Sequence, residues 1–411
     1  MIEEAIVHVG MHKTGSSSIQ DTFSKIEMEE VEYLSLGSAN HSGFLATVLS
    51  ENPQNYHNHI RNGRSLAQVQ ALKEAYTKRL HEELESVDKP RILISAEYLS
   101  RPDGGSGELE YLHSILSQYC RRIRVIGYVR PPIGYMQSAF QQTLKGGANL
   151  SFNLNSVYPN YYKRFAKMDV VFGKENVELV AFGKDALHKG DAVQDFALRI
   201  GAAVQPKQII RANESLSLEA TALLYTFRRF GSKPIGYEGF SRDNNLLIEI
   251  LAGIGNQKLV FGEAVVMPVL ENYRKDLDWM SERLGRSIID QLGESPHTIS
   301  SEENLINVAY NNRMSIWHLL DKNESPTHNA IGIARLVNWL HILNTHDIAN
   351  YKEPHNTLFS KTQLEEIVSV KGDGQVLLSL LADALKKKAQ NQAAKSVRKA
   401  AKKASFLLRE S

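Results

Sequence analysis

The segment that most constrains this chain lies at its start. Ala5-Ile6-Val7-His8-Val9-Gly10 is an apolar run of strand length, and it enters a Gly/Ser-rich turn from Gly10 to Ser18 without a linker. After the turn Ile19, Phe23 and Ile26 recur at helical spacing. Strand, glycine turn and helix open an α/β unit. Glycines let the backbone curl close to an anion, and the following helix aims free N–H groups and its positive end at it. Thr14, Ser16, Ser17 and Ser18 add hydroxyl donors, and Lys13 adds a cation inside the turn. The turn is not a Walker A loop, which needs Gly-Lys-Ser/Thr after four spacers, because Ser16 follows Gly15 here. A strand-turn-helix corner with a solvated lysine is the competing reading of these residues alone.

The pattern continues along the first half. A second strand is predicted over 31–36, and the stretch from 40 to 59 reads as polar. Leu66, Val69, Leu72, Leu80 and Leu84 form a helical stripe. Arg91 to Glu97 reads as a buried strand ending in a carboxylate, and the Gly-rich run 103–107 as a loop. A helix follows over 111–119, then strands over 123–129 and 177–182. Strands alternating with helices predict a parallel sheet covered on both faces. Beyond Leu216 the signals are helical: 216–229, 246–254, the stretch around Trp279, and 330–343. Glu294-Ser295-Pro296 marks a break. The expected organisation is an α/β domain over 1–290, a helical extension over 291–385 and a basic tail over 386–411.

A length of 411 residues suits about two domains. Hydrophobic residues make up 42% and charged ones 23%, ordinary values for a globular chain. The single Cys120 allows no internal disulfide and no cysteine metal cluster. With 48 basic and 46 acidic residues the net charge is +2, which does not mark a nucleic-acid binder. The charge is unevenly placed: 386–411 carries +8 and the remainder −6. That tail, with a weak stripe of Val397, Ala401, Ala404 and Leu408, suits an anionic membrane surface, a polyanionic product or a solvated terminus. No run approaches the ~18 apolar residues of a membrane span. The acidic start Met1-Ile2-Glu3-Glu4 is unlike a secretory signal. The expected location is cytoplasmic, with a peripheral place at the inner membrane face open to the tail.

A second anion site is suggested downstream. Arg130 closes the strand 123–129, at the sheet edge where open α/β sheets bind ligands. Pro132 suits a first helical turn, and Ser138 lies about two turns on, so Arg130 and Ser138 can reach one anion. A surface ion pair and a solvated serine are the plainer alternative.

His12-Lys13-Thr14-Gly15-Ser16-Ser17-Ser18, with Val129-Arg130 and Ser138, resembles the sulfotransferases that use 3′-phosphoadenosine 5′-phosphosulfate (PAPS), most closely their bacterial members. The family loop typically reads Pro-Lys-Ser-Gly-Thr-Thr; His12 stands for the Pro. The resemblance covers residues 1 to about 220. It implies a P-loop-type parallel β-sheet flanked by helices, with the C-terminal part left as a mostly helical extension. It implies that His12, Lys13, Thr14, Gly15, Ser16, Ser17 and Ser18 hold the 5′-phosphosulfate, and that Arg130 and Ser138 hold the 3′-phosphate. Arg211, before an Asn213-Glu214-Ser215 segment similar to one in bacterial members, is a further candidate there. Capping of the next helix by Ser215 or Ser217 would account for that segment alone and is the preferred reading. The implied reaction is sulfuryl transfer to an acceptor hydroxyl, on a carbohydrate or glycolipid by analogy, releasing 3′-phosphoadenosine 5′-phosphate (PAP), with no metal needed.

The transfer needs a base near the sulfur. Glu97 at its strand end is the first candidate, in place of the family's usual His, and an ion pair with Arg101 is the alternative. His41 is the second candidate, placed in a polar loop. Tyr158, Tyr161 and Tyr162 are read as sugar-stacking or packing groups. His57 and His59 lack a third ligand at metal spacing. Rival readings are an ATP- or GTP-dependent P-loop kinase or NTPase with Glu97 on magnesium, and a non-catalytic membrane-surface scaffold.

Overall fold

The computed structural model describes residues 1–312 except 12, 149, 212–214, 231–239 and 294, together with Ser315 and Arg398. The helix expected over 330–343 and the tail, Arg398 apart, lie outside the described residues. In chain order the larger elements are β1 (Ile2–His8), α1 (Ser16–Phe23), β2 (Val31–Tyr33), α2 (Ser42–Leu49), α3 (His57–Arg61), α4 (Leu66–Ser86), β3 (Arg91–Ser95), α5 (Ser106–Tyr119), β4 (Cys120–Val129), α6 (Pro132–Lys145), α7 (Tyr161–Phe172), β5 (Val177–Ala181), α8 (Ala192–Ile200), α9 (Leu218–Phe230), α10 (Phe240–Ala252), α11 (Glu263–Asn272), α12 (Arg274–Leu284) and α13 (Glu302–Asn311).

Two compact units result. The first holds Met1–Phe140, Leu154–Ser215 and Phe261–Gly293. Its sheet runs β2-β3-β1-β4-β5, every pairing parallel. β1 sits at the centre because its apolar residues are buried on both faces. One face carries Ile6, Leu93, Ile126 and Tyr128 under Ile19 and Phe23 of α1 and Val193, Phe196 and Ile200 of α8. The other face meets α5 and α7. A Cβ on Gly127 would stand only 3.3 Å from the Phe165 ring, so the missing side chain lets α7 approach β4. Chain order and strand order reverse at β1: β1 connects outward to β2, and β4 connects outward to β5 on the opposite side. The crevice between the carboxyl ends of β1 and β4 is therefore the sheet's switch point.

The second unit holds Gln141–Asn153, Leu216–Val260 and the described residues beyond Gly293. Ser217 caps α9, its Oγ accepting from the Ala220 amide at 2.9 Å. Gln141 donates to the Leu216 carbonyl and to Thr221 Oγ1, each at 2.9 Å. Tyr225 donates to Glu302 at 2.6 Å, tying α9 to α13. Among the described residues, α9 and α10 fall where helices were expected over 216–229 and 246–254.

Several local expectations are corrected. The second strand stops at Tyr33, since Leu36 N–H turns back to the Leu34 carbonyl. The polar stretch 40–59 contains α2, buried from Phe44 through Leu49. A helix covered all round shows no apolar stripe, and its neighbours Asn40, His41 and Ser42 disguised it further. Ser106 already belongs to α5, so the glycine loop is shorter than 103–107.

Candidate functional site

The turn after β1 is built from both neighbouring strands. Val9 and Met11 donate to the Ile126 and Tyr128 carbonyls of β4 at 2.9 and 3.2 Å. Ala96, just past β3, donates to the His8 carbonyl at 2.9 Å. Two residues in the turn have left-handed backbone, Lys13 with φ 64° and Gly15 with φ 79°. A Cβ on Gly15 would stand 2.8 Å from the Ala192 methyl, so only glycine closes this corner against α8. Gly15 is the N-cap of α1, which has neither a side-chain cap nor an acidic residue in its first turn. The positive end of α1 is thus uncompensated by its own sequence.

The hydroxyls of the turn divide into two kinds. Thr14 and Ser16 are buried: Thr14 Oγ1 donates to the Met11 carbonyl at 2.7 Å, and Ser16 Oγ reaches the same oxygen at 3.4 Å. They brace the turn from inside, whereas the sequence suggested four outward donors. Ser17 and Ser18 remain partly exposed, as does Lys13. His12 lies outside the described residues.

Arg130 and Ser138 do come together. Arg130 Nη1 donates to Ser138 Oγ at 2.8 Å and to the Lys13 carbonyl at 2.8 Å. The Tyr161 hydroxyl fixes the Arg130 carbonyl at 2.6 Å. Burial weighs against the guanidinium charge, and Asp290, Tyr135 and Tyr161 offset that cost. Asp290 has no local sequence signature that marks it. Its carboxylate accepts from the Ile133 and Gly134 amides at 3.0 and 2.9 Å, capping α6. Pro131, just before α6, has no side-chain acceptor, so the cap comes from far along the chain. Burial raises the Asp290 pKa, while the two amides and Arg130 pull it back.

Glu97 does not end the strand. It opens a short 3-10 turn, Glu97–Ser100, two residues past β3. Asn40 Nδ2 donates to its Oε2 at 3.1 Å. The ion pairs drawn by Arg101 run to Glu108 at 2.6 Å and Asp103 at 3.7 Å, with the guanidinium 3.8 Å above the Tyr98 ring. Asn40 was missed by sequence reading; its place follows from the His41 amide pairing with the Ser95 carbonyl at 3.0 Å, which extends the β3 edge by one bond.

His41 is not in a polar loop. It is 0% exposed at the start of α2, and its Nδ1 accepts from the Ser95 amide at 3.2 Å. Burial lowers its pKa to about 4, so the ring is neutral. Arg211 is also elsewhere: it is 74% exposed and pairs with Asp191, the α8 cap, at 2.9 Å. Tyr158 and Tyr161 are buried, Tyr158 stacking on Tyr273 at 3.8 Å, so both pack. Tyr162 is exposed beside Trp279.

Among the described residues no group of three or more His, Cys, Asp or Glu side chains is arranged to hold a metal, and no helix is long and apolar enough to cross a membrane. No family model, curated protein or solved structure matches the chain.

Proposed function

We propose that this chain is a PAPS-dependent sulfotransferase whose acceptor hydroxyl belongs to a carbohydrate or glycolipid, built on a P-loop-type sheet. The observation that carries this reading is the bond pattern of Arg130, which joins Ser138 to the Lys13 carbonyl across the switch point. Two anion sites one strand apart suit a nucleotide with phosphates at both 5′ and 3′ positions. ATP has no second group for Arg130 and Ser138.

PAPS supplies an activated sulfuryl group on its 5′-phosphate. The α1 amides, Ser17, Ser18 and Lys13 hold that phosphate, and Lys13 neutralises the charge that builds on it as the S–O bond breaks. Arg130 and Ser138 hold the 3′-phosphate. Glu97 takes the proton of the acceptor hydroxyl as its oxygen bonds to sulfur, and Asn40 orients the carboxylate. PAP leaves with the electrons of the broken bond. Within this reading His41 supports the β3 edge and Arg211 stands apart.

The test is protection against heat. PAP should raise the unfolding temperature without magnesium, and ADP at equal concentration should do much less. Equal protection by the two, or protection that requires magnesium, favours the kinase or NTPase reading.

A further inference from the structure

His8, the last residue of β1, is fully buried directly beneath the turn. Its register partner on β3 is Ser95, and Nδ1 lies 2.7 Å from Ser95 Oγ. Ser95 Oγ also receives a hydrogen bond from Gln20 Nε2 at 3.2 Å. Tyr33, nearby, donates its own proton to the Ala39 carbonyl. With Ser95 as the donor to His8 rather than to the Tyr33 oxygen, Nδ1 is the lone-pair nitrogen and the ring proton sits on Nε2. Burial lowers the His8 pKa to about 3, so the ring is neutral.

That Nε2 has no hydrogen-bond partner among the described residues. Its direction is set by Gly10. A Cβ there would stand 2.9 Å from His8 Nε2, 2.7 Å from Ser16 Oγ and 2.9 Å from Thr14 Oγ1. Three polar atoms thus converge under the turn, on a spot that only glycine leaves open. Thr14 is firmly committed to the Met11 carbonyl, whereas Ser16 reaches that oxygen only at 3.4 Å and Thr14 Oγ1 at 3.2 Å, both long hydrogen bonds. An N–H at that buried position would be costly without an acceptor, and the Ser16 hydroxyl is the weakly bonded group on the same spot.

We propose that His8 is a positioning residue for the turn: when the 5′-phosphate binds, His8 Nε2–H donates to Ser16 Oγ, and Ser16 turns its own proton from the Met11 carbonyl to a phosphate oxygen. A chain of donors then runs Gln20, Ser95, His8, Ser16, anion, each bond polarising the next. His8 stays neutral throughout, so its contribution does not change between pH 6 and 8. The proposal rests on the nucleotide reading above.

The experiment is nitrogen-15 NMR of the histidine-labelled full chain, titrated with PAP, beside calorimetry on His8→Phe, Ser16→Ala and the double variant. The expected free state is the Nε2–H tautomer, and saturating PAP should shift Nε2 and slow exchange of its proton. Each single variant should lose roughly tenfold in PAP affinity, and the double variant no more than either single one. An Nδ1–H tautomer, PAP bound with the His8 resonances unmoved, or additive losses each overturn the proposal while leaving the nucleotide reading intact. Failure of PAP to bind the wild-type chain removes that reading and this proposal with it. If His8→Phe does not fold, the wild-type resonances decide.

Discussion

Arg130 and Lys13 lie 117 residues apart in sequence and are joined by one hydrogen bond, from the guanidinium to the lysine carbonyl at 2.8 Å. The same nitrogen binds Ser138. The two anion-binding candidates are therefore mechanically linked, because the Arg130 side chain fixes backbone in one and a hydroxyl in the other. The left-handed backbone of Lys13 is part of this arrangement.

Arg130→Lys tests the linkage. A lysine keeps the charge but not the planar fork, so it cannot hold the Lys13 carbonyl, Ser138 and a phosphate together. PAP affinity should fall about 10- to 100-fold, a loss of ~1.4 to ~2.7 kcal/mol. Unchanged affinity by calorimetry would mean that charge alone suffices there.

Asp290 sets two demands against each other. It caps α6, and it places a carboxylate next to the guanidinium proposed to hold the 3′-phosphate. Asp290→Asn keeps an acceptor and removes the charge. Thermal stability should drop, by about 1 kcal/mol, while PAP binds more tightly. Weaker binding would show instead that the carboxylate holds Arg130 in place.

Glu97→Gln should bind PAP as the wild-type chain does and transfer sulfate at least ~100-fold more slowly. Asn40→Ala should leave PAP affinity unchanged and lower the transfer rate, since it removes the donor that orients the carboxylate. Full transfer by Glu97→Gln, measured as sulfate incorporation from labelled PAPS, removes Glu97 as the base.

His8 and His41, both fully buried, predict acid lability, to which the lowered His57 and His59 add. Folded His8 and His41 have pKa values of about 3 and about 4, against 6.5 for the free side chain. As pH falls below 6.5 the unfolded chain takes up protons that the folded chain refuses. Their stabilising effect is complete above pH 6.5 and is lost as pH falls toward 4. The slope approaches ~1.4 kcal/mol per pH unit for each histidine. Urea midpoints at pH 7, 6 and 5 should fall accordingly, and His41→Gln should flatten the decline. An equal decline in the variant would place the lability elsewhere.

The glycine turn was legible because strand, turn and helix are contiguous and each has its own period. Arg130 and Ser138 were legible because both belong to one strand-helix step. Asp290, Asn40 and the Tyr161 hydroxyl were not, because each reaches the site through a tertiary contact with no local signature. His8 was read only as part of an apolar strand, and it is the parallel register with Ser95 that brings its ring to the serine hydroxyl. His41 misled for the opposite reason: a polar neighbourhood in sequence folded into the core.

The proposed nucleotide site needs both ends of its ligand. Calorimetric titration of the purified chain with PAP and with ATP, without metal, tests it most directly. PAP should bind tightly, ATP at least ~100-fold more weakly, and Arg130→Ala should abolish that preference. Equal affinity for the two nucleotides, or a preference untouched by Arg130→Ala, would contradict it.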